Sequence, residues 1–305
     1  MTKASAGAAT TFGLTLVAAA IAVPASARAN SCDRTTVLLA QACARDAEGD
    51  RLVAAATCAN IGDPTKAASC LTHADEELRS ARRLCTAQTE ARARVCGAVG
   101  QAPYDPPIDP ANFVDSVTNR YFPLPSGAVW TYRGENSAIK VRVTNRKRRI
   151  MGVDCVVVRD TVTVDGKVEE DTFDYYAQDR QGNVWYFGES TAEYVNGYIV
   201  SIDGTFIAGQ GGAKPGIIMS AHPAPGMTVR QEFALDEAED LARYESVGGT
   251  LVTRMGTFRN VLKTFELTPL EPEAKENKYY APGIGNVLTV DLATGEREAL
   301  VSFEH

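Results

Sequence analysis

The sequence predicts an α+β chain of two unequal parts: a disulfide-stapled antiparallel helical hairpin, then an antiparallel β meander curled into a curved sheet or an open or half barrel. Three observations predict it. Six of the seven cysteines stand at intervals that read the same in both directions. The stretches between them are rich in alanine and poor in β-branched residues, which favours helix. From Ala128 onward, short runs of Val, Ile, Thr, Tyr and Phe alternate with turn pairs, the pattern of strands and hairpins.

The chain begins with Lys3 ahead of an apolar run from Phe12 to Val23. Pro24 and the small-residue sites Ala25-Ser26-Ala27 and Ala27-Arg28-Ala29 follow. This is the three-part layout of a secretory signal peptide over residues 1–29. About twelve apolar residues are too few for a spanning helix, which needs about twenty. Ala29-Asn30-Ser31 ahead of Cys32 lacks the aliphatic residue that a lipidated cysteine carries three positions before it. The expected location is periplasmic or extracellular, with no transmembrane segment in the mature chain. Removing residues 1–29 leaves 29 basic and 38 acidic side chains, a net charge of −9. That balance argues against nucleic acid or an anionic membrane surface, both of which call for a basic face. The one basic run, Arg146 to Arg149 beside Gly152, reads as a solvated hairpin tip.

Residues 30–100 form the cysteine hairpin. Cys32, Cys43, Cys58, Cys70, Cys85 and Cys96 are separated by 11, 15, 12, 15 and 11 residues. The pairs Cys58–Cys70, Cys43–Cys85 and Cys32–Cys96 each sum to 128, as residues facing one another across an antiparallel hairpin must. Gly62-Asp63-Pro64-Thr65 supplies the turn. Intervals of 11 and 15 are close to three and four helical turns, so each limb presents its cysteines on one side. Gly49 marks a break or kink in the first limb. A metal site or a redox catalyst would show C-x-x-C spacing, which is absent. Cys155, alone in a strand-like run, reads as a buried thiol, with an intermolecular link as the alternative.

Residues 101–126 carry four prolines between Pro103 and Pro110 and read as an extended linker. Residues 127–305 are the β-rich part. Asp165-Gly166, Gln181-Gly182-Asn183, Asp203-Gly204, Gly248-Gly249 and Thr294-Gly295 punctuate roughly ten to twelve strands. Lys167–Gln178 reads as one long strand that returns through Val184–Phe187. No helix is long enough for a parallel crossover, and a sheet of ten or more strands curls. Two loops interrupt the meander: the Gly/Pro-rich 208–225, read as a rim or lid or as a strand-to-strand excursion, and the acidic 236–242.

The strings DYYAQDRQGNVWYFGE (Asp174–Glu189), GTFIAGQGGAKPGIIM (Gly204–Met219) and YYAPGIG (Tyr279–Gly285), with Arg230–Phe233 and Ala238-Glu239-Asp240, resemble a widespread, uncharacterised group of secreted bacterial proteins. The resemblance covers residues 110–303 and departs at Phe206, where the group has Trp. YYAPGIG followed by a strand is also similar to half-barrel lipoprotein-carrier folds, which implies fold alone.

Chemistry is sparse. His73, His222 and His305 are too few and too scattered for a histidine metal site. Ser220 and His222 lack a G-x-S-x-G elbow. Gly209–Lys214 lacks the ending of a phosphate loop, and Asp179–Asn183 lacks the acids of a calcium loop, so it reads as a turn. No metal and no cofactor is expected. An acidic and aromatic set is left: Glu170, Asp171, Asp174 and Glu189 among Tyr175, Tyr176, Trp185 and Tyr186. Outward-facing strand residues are one reading of it. The other is a concave surface, for which the candidate ligand-binding residues are Tyr176, Trp185, Tyr186, Phe206, Lys214 and Met219. Three functions fit. One is a non-catalytic binding module for an apolar or amphipathic ligand. Another is an acid/base hydrolase or lyase using Asp174 with Glu189 or Glu232. The third is an envelope scaffold that holds a protein partner through the hairpin.

Overall fold

The computed structural model describes residues 30–305. The signal-peptide reading falls on residues 1–29, outside the described residues. Helix α1 (Ser31–Cys58) and helix α2 (Pro64–Val99) form the hairpin. Asp63 caps α2: its carboxylate accepts the backbone N–H groups of Thr65 and Lys66, both at 2.9 Å, and Pro64 fills the first helical position. The three bridges are Cys32–Cys96, Cys43–Cys85 and Cys58–Cys70, with Cα atoms 5.6, 5.8 and 5.6 Å apart. The break expected at Gly49 is not there; α1 runs through it without interruption. Its hydrogen-bond ladder outweighs the cost of one glycine, about 1 kcal/mol. The buried apolar residues between the helices are small, mainly Ala47, Ala74, Ala91 and the cysteines Cys58, Cys85 and Cys96.

The segment after the hairpin carries β1 (Phe113–Val114), β2 (Thr118–Asn119) and β3 (Phe122–Pro123). The long strands follow: β4 (Val129–Arg133), β5 (Ser137–Ile150), β6 (Val153–Val164), β7 (Lys167–Asp179) and β8 (Val184–Ser190). Short pieces come next: β9 (Glu193–Val195), β10 (Tyr198–Ser201), β11 (Phe206–Ile207), β12 (Lys214–Met219), β13 (Thr228–Arg230) and β14 (Glu232–Phe233). The chain closes with β15 (Leu241–Thr253), β16 (Gly256–Leu267), β17 (Lys275–Ala281), β18 (Gly285–Asp291) and β19 (Arg297–Glu304).

Consecutive antiparallel pairing carries the sheet from β4 to β8, and β12 then pairs with β8. β14 pairs with β12 and β13 with β15, so these two pieces, separated only by Gln231, pass the sheet onward. From β15 pairing runs to β19, and β19 pairs with β4. The result is a nearly barrel-shaped antiparallel sheet. Its strands outnumber the ten to twelve expected because pieces of two or three residues leave no periodic signal.

Inside lies the main apolar core, with Trp130, Val143, Val158, Tyr186, Met219, Tyr244, Leu262 and Leu300. A second cluster covers the outer face of β6 to β8, where Val157, Tyr175 and Phe187 pack with Ile108 and Phe113. Cys155 sits there, buried, and burial pushes its thiol up to about 12. Gly188 has φ +126°, and a Cβ on it would meet the Phe206 carbonyl oxygen at 2.1 Å, so only glycine lets β11 approach β8.

One segment differs from expectation. The basic run does not form the tip, which is Met151-Gly152. A bulge between Val143 and Lys147 turns Arg148 onto the sheet, where it donates to the Tyr175 hydroxyl at 2.6 Å and stacks on that ring. The Gly/Pro loop takes the second of its readings, a strand-to-strand excursion and not a lid. Its middle is β12, and Ala213 and Met219 are buried in the core.

The acidic segment joins hairpin to sheet. Arg92 of α2, 4% exposed, donates to both oxygens of buried Glu239 at 2.7 to 3.2 Å and to Asp236 at 3.3 Å. Tyr104 packs on Phe233 with ring centroids 5.0 Å apart, beneath the Arg230 guanidinium. Gln88 donates to the Leu270 carbonyl at 2.9 Å.

Candidate binding cavity

Cross-strand partners share a face of a sheet. Trp130 and Tyr132 of β4 stand opposite Val141 and Ile139 of β5. Val141 stands opposite Asp160, and Val158 opposite Asp174. Tyr176 lies two residues beyond Asp174, on the same face. These alternations all point inward, and with side chains from β16 to β19 they line a cavity of about 300 Å³. Phe122 and Leu124, from the segment after the hairpin, also line it.

The wall has two characters. One group of lining residues is apolar and aromatic: Trp130, Tyr132, Ile139, Val141, Tyr176 and Ile218. The polar atoms of Trp130 and Tyr132 are taken up by backbone carbonyls. Trp130 donates its ring N–H to the Ile284 carbonyl at 2.7 Å, and the Tyr132 hydroxyl donates to the Asn286 carbonyl at 3.0 Å. A second group is acidic, Asp160, Asp174, Glu266, Glu276 and Glu298, with one lysine, Lys278.

Most of those acids have partners. Glu266 accepts from Thr264 at 2.8 Å, from Tyr280 at 3.0 Å and from Lys278 at 2.9 Å. Lys278 also lies 3.4 Å from Glu276. Burial alone would lower the Lys278 ammonium, but the Glu266 and Glu276 charges outweigh it and hold the lysine well above its usual value. Glu298 accepts from the Ser137 hydroxyl at 2.8 Å, and Asp174 from the Tyr186 hydroxyl at 2.6 Å. Asp160 is the exception: its Oδ1 is shut off from solvent and has no hydrogen-bond partner among the described residues. Burial, then the charges of Asp174 and Glu170, push the Asp160 carboxyl well above the usual range.

A second group of acids meets the first at Asp174. The Tyr186 hydroxyl lies 2.6 Å from Asp174 and 3.0 Å from Glu189, which are cross-strand partners. One phenol proton cannot serve both carboxylates at once, so one contact needs a carboxyl proton. Burial pushes Asp174 up to about 6, and burial with the Asp174 charge pushes Glu189 up to about 8. Glu232 is raised well above its usual value by burial and by the neighbouring charges of Asp240, Glu189 and Asp174. The three acids named from the sequence are therefore within electrostatic reach of one another. No group of three His, Cys, Asp or Glu side chains suited to a metal ion occurs among the described residues.

Of the six candidate ligand-binding residues, Tyr176 lines the cavity. Tyr186 stacks behind it with centroids 4.7 Å apart, and Phe206 meets Tyr186 edge-on. Met219 is buried in the main core. Trp185 faces the other side of the sheet, against Phe113, and donates its ring N–H to Asp179 at 2.8 Å. Asp179 also accepts the backbone N–H groups of Gln181 and Asn183, which makes Asp179–Asn183 a turn. Lys214 pairs with Asp105, on the side where Tyr104 bonds the Pro215 carbonyl. The Ser220 hydroxyl accepts the backbone N–H of His222, whose side chain is exposed. Sequence reasoning missed Asp160, Glu266 and Lys278. The signal for Asp160 was its alternation with Val156 and Val158, which puts a carboxylate on an apolar face.

No family model matches the chain, and no curated protein matches it. Among solved structures, it is similar to a protein from Parabacteroides distasonis ATCC 8503 described as a "putative lipoprotein". The two are 13% identical, with a TM-score of 0.34 over 61% of this chain and 99% of that one, a likeness too slight to carry function across.

Proposed function

We propose that this protein is a non-catalytic binding module, exported to the periplasm or beyond, whose barrel cavity holds a small amphipathic ligand. The observation that carries the reading is the mixed lining, with aromatic and aliphatic side chains and carboxylates around one cavity. Binding sites for small molecules are typically concave and mostly apolar, with a few placed polar groups. Three disulfides fit an oxidising compartment. Native mass spectrometry of protein purified from its own compartment should reveal added mass. A bare-chain spectrum together with no thermal shift from amphiphiles would overturn the reading.

One observation favours a second reading, an acid/base hydrolase or lyase. Asp174 and Glu189 meet on one hydroxyl and are raised to different extents, to about 6 and about 8, the arrangement that separates an acid from a base. Turnover of a glycoside panel that Asp174→Asn and Glu189→Gln each abolish would establish it. Unchanged turnover in both variants would dismiss it.

A further inference from the structure

Asp160 is the one feature of the cavity that the protein's own packing does not explain. A buried carboxylate oxygen without a hydrogen bond costs free energy, and native structures keep few of them. Its Oδ1 is enclosed and unpartnered among the described residues, in a wall that the cavity touches. Lys278 favours the Asp160 charge from a distance, but its ammonium contacts Glu266 at 2.9 Å and Glu276 at 3.4 Å instead. Asp174 and Glu298 hold hydroxyl donors, from Tyr186 and Ser137. Counting Asp160, Asp174, Glu266, Glu276 and Glu298 against Lys278, the lining has an excess of four carboxyl groups. An anionic ligand would add to that excess, whereas a cation would offset it and bring a donor to the Asp160 carboxyl group. The rings of Trp130, Tyr132 and Tyr176 line the same cavity, and their faces attract cations and apolar carbon alike.

We infer that the cavity selects a ligand carrying a protonated amine, with an ammonium N–H bonded to the Asp160 carboxyl group and an apolar body along Trp130, Tyr132 and Tyr176. This rests on the binding-module reading and adds the chemistry of the head group.

A matched eight-carbon series tests it: octylammonium, octan-1-ol and octanoate, titrated calorimetrically into the full mature chain. Octylammonium should bind at least about tenfold more tightly than octan-1-ol, the scale of one charge-assisted hydrogen bond, and octanoate weakest of the three. In Asp160→Asn the ratio of octylammonium to octan-1-ol affinity should fall toward one. Octan-1-ol or octanoate binding as tightly as octylammonium would overturn the inference and leave the cavity as an apolar site. The same holds if Asp160→Asn keeps the preference. Failure of all three probes to bind would overturn the inference together with the proposed function. The wild-type series decides without any variant having to fold.

Discussion

The residues that set this cavity's behaviour are acids held away from water. Asp174 is raised from 3.8 to about 6 and Glu189 from 4.5 to about 8, each by burial first. A raised acid gives its full stabilisation below the unfolded value and loses it as pH climbs through the folded value. Stability should therefore fall between about pH 4 and pH 8, the window set by those two groups. Thermal melts across that range should show the midpoint dropping, and Asp174→Asn or Glu189→Gln should flatten the drop. A midpoint that rises toward pH 8 would contradict the assignment. Asp160→Asn replaces a carboxyl group whose ionisation burial and the Asp174 and Glu170 charges oppose, so the variant should keep its stability better than the wild type as pH rises. Urea unfolding of the variant beside the wild type measures this.

At the scale of elements, the hairpin depends on its bridges and on one ion pair. Its interface is mostly alanine and cystine, too little apolar surface to hold two helices alone. Taken singly, closing the Cys58–Cys70 and Cys32–Cys96 loops, separations of 12 and 64, would contribute about 3 and about 4 kcal/mol. The loops are nested, so the outer bridges add less than that once the inner one is closed. Arg92→Ala should cost about 3–5 kcal/mol, because it leaves the buried Glu239 without its partner. Hydrogen exchange in α2 should then quicken, while Arg92→Met with Glu239→Met should recover most of the loss. Equal exchange in single and double variants would show that the ion pair does not fasten the hairpin. This part of the chain was legible in the sequence because cysteine positions of constant sum fix partners outright. The β6 to β8 hairpins were legible through Asp165-Gly166, through Gln181-Gly182-Asn183 and through alternation. The docking of Arg92 on Glu239 was not, because 147 residues separate them and an Arg on a helix face ordinarily reads as solvated.

At the scale of the whole molecule, the cavity was only partly legible. Asp174 and Tyr176 could be placed on a shared face, but not which face closes on itself. That depends on β19 reaching β4 and on β13 and β14 bridging β15 to β12, long-range pairings that leave no local pattern. The face that Trp185 takes, against Phe113, was hidden for the same reason. Alternation sets it opposite Tyr186, and only the closed ring says that Tyr186's side is the inside.

The pairing of β19 with β4, from Ala299 opposite Arg133 to Glu304 opposite Val129, bears on how the chain is made. The hairpin leaves the ribosome first and its contacts are local, so it can fold and oxidise early. The barrel cannot shut until its last strand emerges, and contacts of such sequence separation form slowly. Until then β4 and β18 each present an open edge, the kind that recruits other chains. A chain shortened to residue 296 should keep its three bridges by peptide mapping yet associate through those edges, visible as a shift to large species in light scattering.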